Sequence, residues 1–220
     1  MANPIKPTLK TEIIPVILII LSIAASFYFY ANFPDQVPTH WNYKGEVDSY
    51  SGKAFGAFFF PILNLGLYLL FLGIPYIDPR KDRYQDFRKV YHVFKGIFIA
   101  FMTLIYIYAS LAGLGYSVSI NTVIPAAVAL LFIVLGNYMS KIKPNWFMGI
   151  RTPWTLENEE VWNKTHRLGG KVFIAMGLIM ILGIFLPGDV YWKIFPIVVI
   201  ILVFIPIIYS YLLYRKVEKK

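Results

Sequence analysis

Six stretches of this chain are apolar and free of Asp, Glu, Lys and Arg: Ile13–Phe33, Phe55–Ile77, Gly96–Tyr116, Val123–Met139, Val172–Leu186 and Ile194–Leu213. A bilayer core about 30 Å thick takes around 20 mostly apolar helical residues per crossing, so each stretch predicts a transmembrane helix. The fifth is short and borrows flanking residues to span.

The segment after the first stretch, FPDQVPTHWNYKGEVDSYSGK, follows another rule. Pro34 and Pro38 push their neighbours toward extended backbone, and Val37, Thr39, Trp41 and Tyr43 alternate with Pro38, His40 and Asn42 as one face of a strand does. Gly45 supplies a turn, and Glu46-Val47-Asp48 returns toward the membrane. The pattern predicts a small folded cap over residues 34–53, a hairpin, whose candidate binding residues are His40, Trp41, Asn42, Gly45, Glu46 and Asp48. Between the second and third stretches, Tyr84, Phe87, Val90 and Tyr91 recur at helical spacing, which predicts a short amphipathic surface helix.

The densest polar and aromatic block is PNWFMGIRTPWTLENEEVWNKTHRLGGK, residues 144–171. Gly149 permits a tight bend, Pro153 fixes the chain before Trp154, and Thr155 reads as the N-cap of a helix with Glu157, Glu159 and Glu160 in its first turns. Lys164 and Arg167 lie in its last turns, Glu160 and Lys164 have the favourable i,i+4 order, and Gly169-Gly170 reads as an end or hinge. These signals predict a helix over residues 156–168. With Val161, Trp162, Thr165 and Leu168 on one side, it is expected to lie along the inner membrane surface before the fifth span. Arg151 suits bridging to acidic groups, carbonyls or lipid phosphates, either as a structural clamp or as a ligand contact.

Composition agrees with the spans: 58% of residues are hydrophobic and 15% charged, against roughly 45–50% and about 25% in soluble domains. The net charge of +9 changes the picture through its distribution. All but Lys44, Lys53 and Lys193 of the 21 lysines and arginines fall at the two termini, in residues 80–95 or in residues 141–171. The positive-inside rule places those segments in the cytoplasm and residues 34–53 outside. Topology and anionic lipid headgroups account for the charge without nucleic acid, and Trp146, Trp154, Trp162 and Trp192 sit near predicted membrane edges as anchors. Lys6 and Lys10 precede an apolar run containing Ala24-Ala25-Ser26, as in a signal peptide, but the run is long enough to span and predicts an uncleaved first helix.

Chemistry adds little. There are no cysteines, which removes disulfides, thiolate catalysis and thiolate metal sites. His40, His92 and His166 are scattered without paired-ligand spacing, so no metal and no cofactor is expected, and no catalytic motif is present. The acidic run Glu157 to Glu160 reads as helix N-terminal charge rather than as catalytic groups acting with His166. Transport normally needs ionisable groups at mid-membrane; the polar residues there are Asn64, Tyr106, Tyr108 and Asn137. Pro61, Pro125, Pro196 and Pro206 are placed to bend helices around a cavity, which keeps a small transporter or lipid-handling protein as the alternative. The expected fold is an all-α membrane protein with six transmembrane helices, a small extracellular cap after helix 1 and an amphipathic cytoplasmic helix before helix 5. Its two regions are expected at residues 1–139 and 140–220.

Two motifs carry a resemblance. Val37-Pro38, His40-Trp41, Gly45-Glu46 with Asp48, and the closing Gly52-Lys53 resemble an N-terminal domain of unknown function found in many bacterial membrane proteins. Asn145, the run from Gly149 to Thr155, Glu160-Val161-Trp162 and the run from Thr165 to Gly170 resemble the signature of the SdpI family. The resemblance implies a multi-pass immunity protein of the bacterial cell membrane that protects against a secreted toxic peptide. It also implies signal transduction, by holding a cognate transcriptional repressor at the membrane. The basic cytoplasmic face and the helix of Trp162 would be the docking surface, with Arg151, Thr152, Pro153, Trp154, Thr155, Trp162, His166 and Arg167 as candidate binding residues. The implied partners are the peptide, the repressor and membrane lipids, with no direct nucleic-acid contact.

Overall fold

A computed structural model describes residues 5–42, 44–186 and 188–219, with Gly188, Asp189, Trp192 and Ile194 described by backbone alone. The expectations for Tyr43 in a strand and Trp192 as an anchor lie outside the described residues. The elements are α1 (Leu9–Asn32), β1 (Gln36–Trp41), β2 (Val47–Gly52), α2 (Lys53–Ile77), a 3-10 helix (Lys81–Phe87), α3 (Arg88–Gly113), α4 (Ile120–Met139), α5 (Pro153–Glu157), α6 (Glu159–Gly183) and α7 (Gly188–Glu218). Among the described residues six helices are long and apolar enough to cross a membrane. The protein is a mostly helical, multi-pass membrane protein with, among the described residues, one small two-stranded sheet.

Burial follows the logic of a lipid solvent. Ile14, Ile17, Leu21 and Phe27 of α1 and Ile197, Ile200, Phe204 and Ile208 of α7 are exposed, while Ser22, Ser26, Asn64, Ser110 and Ser210 are buried. Lipid tails accept apolar side chains as readily as a protein interior does, so small and hydrogen-bonded residues share the interior with the large apolar ones. Asn64 shows the pattern: its Nδ2 donates to the Ile99 carbonyl at 3.3 Å and to Thr103 at 3.0 Å.

The chain forms two compact units, one of Pro7–Leu72 with Lys95–Ala127, the other of Met1–Lys6, Gly73–Phe94 and Val128–Lys220. In the first, β1 and β2 pair antiparallel with Gln36 opposite Gly52 and Trp41 opposite Val47, and the ladder is irregular on both sides of His40. The hairpin is pinned by Val37, which is 2% exposed and joins Phe29, Phe33, Ala57 and Tyr106 in one core cluster. Gly113 makes room for it, since a Cβ there would come within 2.7 Å of a Val37 methyl. The same unit encloses an ion pair. Lys95, 1% exposed, reaches both carboxylate oxygens of Glu12 at 2.6 and 2.7 Å, and Tyr68 donates to the same carboxylate at 2.9 Å. The sequence alone places Glu12 ahead of the first span and Lys95 in a loop. Both helices instead extend through these residues, each charge being neutralised by the other.

In the second unit α4 and α6 approach closely. A Cβ on Gly136 or Gly170 would sit 2.6 Å from the other's carbonyl oxygen, and one on Gly177 would sit 2.6 Å from the Ala129 carbonyl. This corrects the expected surface helix over 156–168 with a hinge at Gly169-Gly170. A short α5 is followed by α6, which runs unbroken from Glu159 through both glycines to Gly183. The glycines end nothing; they let two helix backbones touch. The amphipathic helix expected around Tyr84 is likewise a 3-10 helix leading into α3, with Tyr84, Phe87, Val90 and Tyr91 all buried.

Candidate functional sites

The hairpin turn is built around Asn42. Its Oδ1 accepts from the backbone N–H groups of Lys44 at 2.8 Å and Glu46 at 3.1 Å, while its Nδ2 donates to the Glu46 carboxylate at 3.0 Å. Gly45 takes φ +80°, a left-handed conformation that favours glycine. Asn42, Gly45 and Glu46 are therefore committed to shaping the turn. His40 and Asp48 are brought together across the strands, Nδ1 to Oδ1 at 2.5 Å, with 68% and 42% of their side chains exposed. Trp41 is half-buried. On the helix side of these residues lies a cavity of about 560 Å³ lined mainly by apolar groups. Phe55, Phe59, Ile105 and Tyr106 wall it, and Thr39, His40 and Trp41 reach it from β1. Such a space suits an apolar side chain or hydrocarbon segment, with polar groups at one end to orient it.

The block from 144 to 171 is organised from inside. Asn145, fully buried, donates to the carbonyls of Lys143 at 2.9 Å and Met148 at 3.1 Å and accepts from the N–H groups of Phe147 and Met148 at 2.9 and 2.6 Å. Thr152, rather than Thr155, is the N-cap: it caps α5 with Pro153 at the first helical position, and Thr155 closes a capping box back to it. That correction has a local reason, because proline suits the first helical position, where its missing N–H would have no partner. Thr152 also meets Ser210 of α7 at 3.0 Å. The cap of α6 is Asn158, whose Oδ1 accepts from Glu160 and Val161.

Trp162 and His166 stack at 4.0 Å and are wholly enclosed. Trp162 Nε1 donates to the Ile142 carbonyl at 2.8 Å. His166 Nε2 accepts from the Ile150 N–H at 3.0 Å, so its proton sits on Nδ1, which donates to the Trp162 carbonyl at 2.8 Å. Gly149, at φ +102°, leaves room where a Cβ would strike this imidazole. Glu159 and Glu160 are engaged elsewhere, with Arg83 at 3.0 Å and Lys164 at 2.6 Å. Arg151 donates to the Trp146 carbonyl, and its side chain lies with the exposed Pro153 and Arg167 and the half-buried Trp154 among the residues left with surface. Trp154 packs on Tyr211 at 5.0 Å.

Sequence reasoning missed Asp78. Buried at 1% exposure, it accepts from the Arg80 N–H at 2.7 Å, the Tyr84 hydroxyl at 2.8 Å and the Trp146 N–H at 2.9 Å, tying the end of α2 to the start of the block. Arg80 then donates to the Leu156 carbonyl at 2.7 Å. The available signal was an acidic residue directly after an apolar span and before a proline; its distant partner left no trace nearby.

Residues 141–210 match the SdpI/YfhL protein family, and residues 17–65 match a domain of unknown function, DUF1648. Across 210 residues, 96% of this chain and 99% of the relative, the sequence is 28% identical to Immunity protein SdpI of Bacillus subtilis (strain 168). No solved structure matches the chain. The similarity is to an immunity protein and not to an enzyme. In one multi-pass membrane chain, then, the hairpin lies in the region that matches DUF1648 and the block from 144 to 171 in the region that matches the SdpI/YfhL protein family.

Proposed function

We propose that this protein is an immunity protein of the bacterial cell membrane, giving resistance to a secreted toxic peptide that it meets at the hairpin. Similarity to an immunity protein over nearly the whole of both chains carries the reading. The cavity beside His40 and Trp41 gives it a place to act. An apolar residue of the peptide enters among Phe55, Phe59 and Ile105, driven by removal of its surface from water at roughly 25 cal/mol per Å². In this topology the hairpin is extracellular, and both termini and residues 80–95 and 141–171 are cytoplasmic.

A cysteine at Ser49 is expected to react with an impermeant reagent in intact cells and one at Glu157 is not; the reverse pattern overturns the topology. Expression in a toxin-sensitive strain is expected to raise survival, and Trp41→Ala to abolish the gain at normal protein levels. Full protection by Trp41→Ala removes the hairpin from the mechanism. A role in holding a transcriptional repressor at the membrane rests on the surface of Arg151, Pro153, Trp154 and Arg167. Its test is whether Arg167→Ala releases a membrane-bound repressor without altering the amount of folded protein; continued retention of the repressor removes that surface.

One observation favours the transport alternative. Glu12 and Lys95 form a buried pair inside membrane helices, the kind of group that ion-coupled carriers use. Retention of immunity in Lys95→Met together with Glu12→Gln, at normal protein levels, assigns the pair to structure; loss of immunity with loss of a proton-driven flux in vesicles assigns it to transport.

A further inference from the structure

Several cations of the second unit are engaged. Arg83 and Lys164 pair with Glu159 and Glu160, and Arg80 and Arg151 donate to backbone carbonyls. Arg88 and Lys89 at the start of α3, and Lys141 and Lys143 just past the end of α4, behave differently. All four line one cleft of about 790 Å³, and among the described residues none has a carboxylate within ion-pair distance. Asp86 also lines the cleft, so the site holds four cations and one carboxylate.

Part of its lining is apolar. Phe87 and Val90 are buried, and Val93 and Tyr138 continue the lining, with the Lys141 ammonium 5.0 Å from the Tyr138 ring. The cleft stands where the apolar part of α3 begins and that of α4 ends, which is where a spanning helix passes from headgroups to hydrocarbon. Four cations against one carboxylate around a single cleft repel one another and are costly to leave without a further counter-charge. A free anion would neutralise them but would leave the apolar part of the lining wet. An amphipathic anion satisfies both.

We propose that this cleft binds an anionic phospholipid, its phosphate held by Arg88, Lys89, Lys141 and Lys143 and the start of its acyl chains running along Val90 and Val93. Basic pockets between transmembrane helices are the usual form of such sites. The site is independent of toxin recognition, so it stands or falls separately from the immunity reading.

The test uses the full chain in nanodiscs of phosphatidylcholine with and without phosphatidylglycerol, reading retained lipid by native mass spectrometry and folding by Tm. Each cation near an anionic surface is worth about fivefold in affinity. Lys141→Gln with Lys143→Gln is therefore expected to lower the preference for phosphatidylglycerol by about twenty-fivefold, and Lys141→Arg with Lys143→Arg to keep it. The control, Arg83→Gln with Lys164→Gln, removes as much charge from paired cations and is expected to leave the preference nearly unchanged. If the lysine variant does not fold, Arg88→Gln with Lys89→Gln gives the same readout from α3. Equal loss in the control means diffuse surface charge and overturns the site. Displacement of the lipid by inorganic phosphate means a free-anion site and overturns it also. Unchanged lipid preference with loss of a protein partner makes the cleft a protein interface, and the proposal falls.

Discussion

The hairpin and the block from 144 to 171 use the same residue types to opposite ends. Each has a histidine, at least one tryptophan, acidic groups and a glycine at positive φ. In the block, His166 and Trp162 are sealed from solvent with their ring nitrogens bonded to backbone. In the hairpin, the His40 side chain is 68% exposed and bonded to an acid that is 42% exposed, beside a cavity. Dense motifs of polar and aromatic residues therefore mark two things in this chain: a site, where the groups keep surface, and a buried joint, where a connection between membrane helices must satisfy its own backbone. Stability and protection should separate along that line.

The largest effect is expected for Trp162→Ala. It empties a fully enclosed tryptophan site, strips the Ile142 carbonyl of its donor and removes the stack on His166, for about 3–5 kcal/mol. Thermal melting in detergent measures it, and a loss below about 1 kcal/mol would place Trp162 at a surface and erase the contrast. Next is Asp78→Ala, which leaves three donors, among them the buried Tyr84 hydroxyl, without their acceptor and is expected to cost about 2–3 kcal/mol. Asp78→Asn keeps one acceptor oxygen and should cost less; equal losses from the two variants would mean that the carboxylate's acceptors do not matter.

In the hairpin the effects shrink. Val37→Ala removes two methyl groups from the cluster at the helix ends, about 1.5 kcal/mol, and should make the hairpin cleavable by protease while the helices stay folded. Resistance equal to the parent would show that Val37 does not hold it down. The smallest change in stability is expected for His40→Ala, within about 0.5 kcal/mol because its contact with Asp48 is exposed to solvent. Its effect on protection should nevertheless exceed that of Val37→Ala. A melting shift as large as that of Trp162→Ala would make the hairpin architecture too.

Much of this was legible along the chain. The six spans follow from unbroken apolar runs, because a bilayer imposes length and excludes unpaired charge on each crossing separately. The alternation from Val37 to Trp41 and the turn at Gly45 are local as well, and the exposed His40 beside buried Val37 keeps the expected phase. The cap at Thr152 is readable from Pro153, but Thr155 competes with it along the chain, since it stands directly ahead of the acidic run from Glu157. Gly169-Gly170 misled for another reason. A glycine pair reads locally as a helix end, and only Gly136 on a different helix makes it a point of contact.

The sequence by itself determined how many times the chain crosses the membrane, where the hairpin lies and which segments are basic, because each depends on residues that are neighbours along the chain. The tertiary structure alone decided that Lys95 belongs with Glu12 and Tyr68, Asp78 with Trp146, and Trp162 with Ile142. It also decided that Arg88, Lys89, Lys141 and Lys143 share a cleft. A polar group enclosed among membrane helices must find a partner, and folding supplies that partner from wherever in the chain it comes close, which no local pattern records.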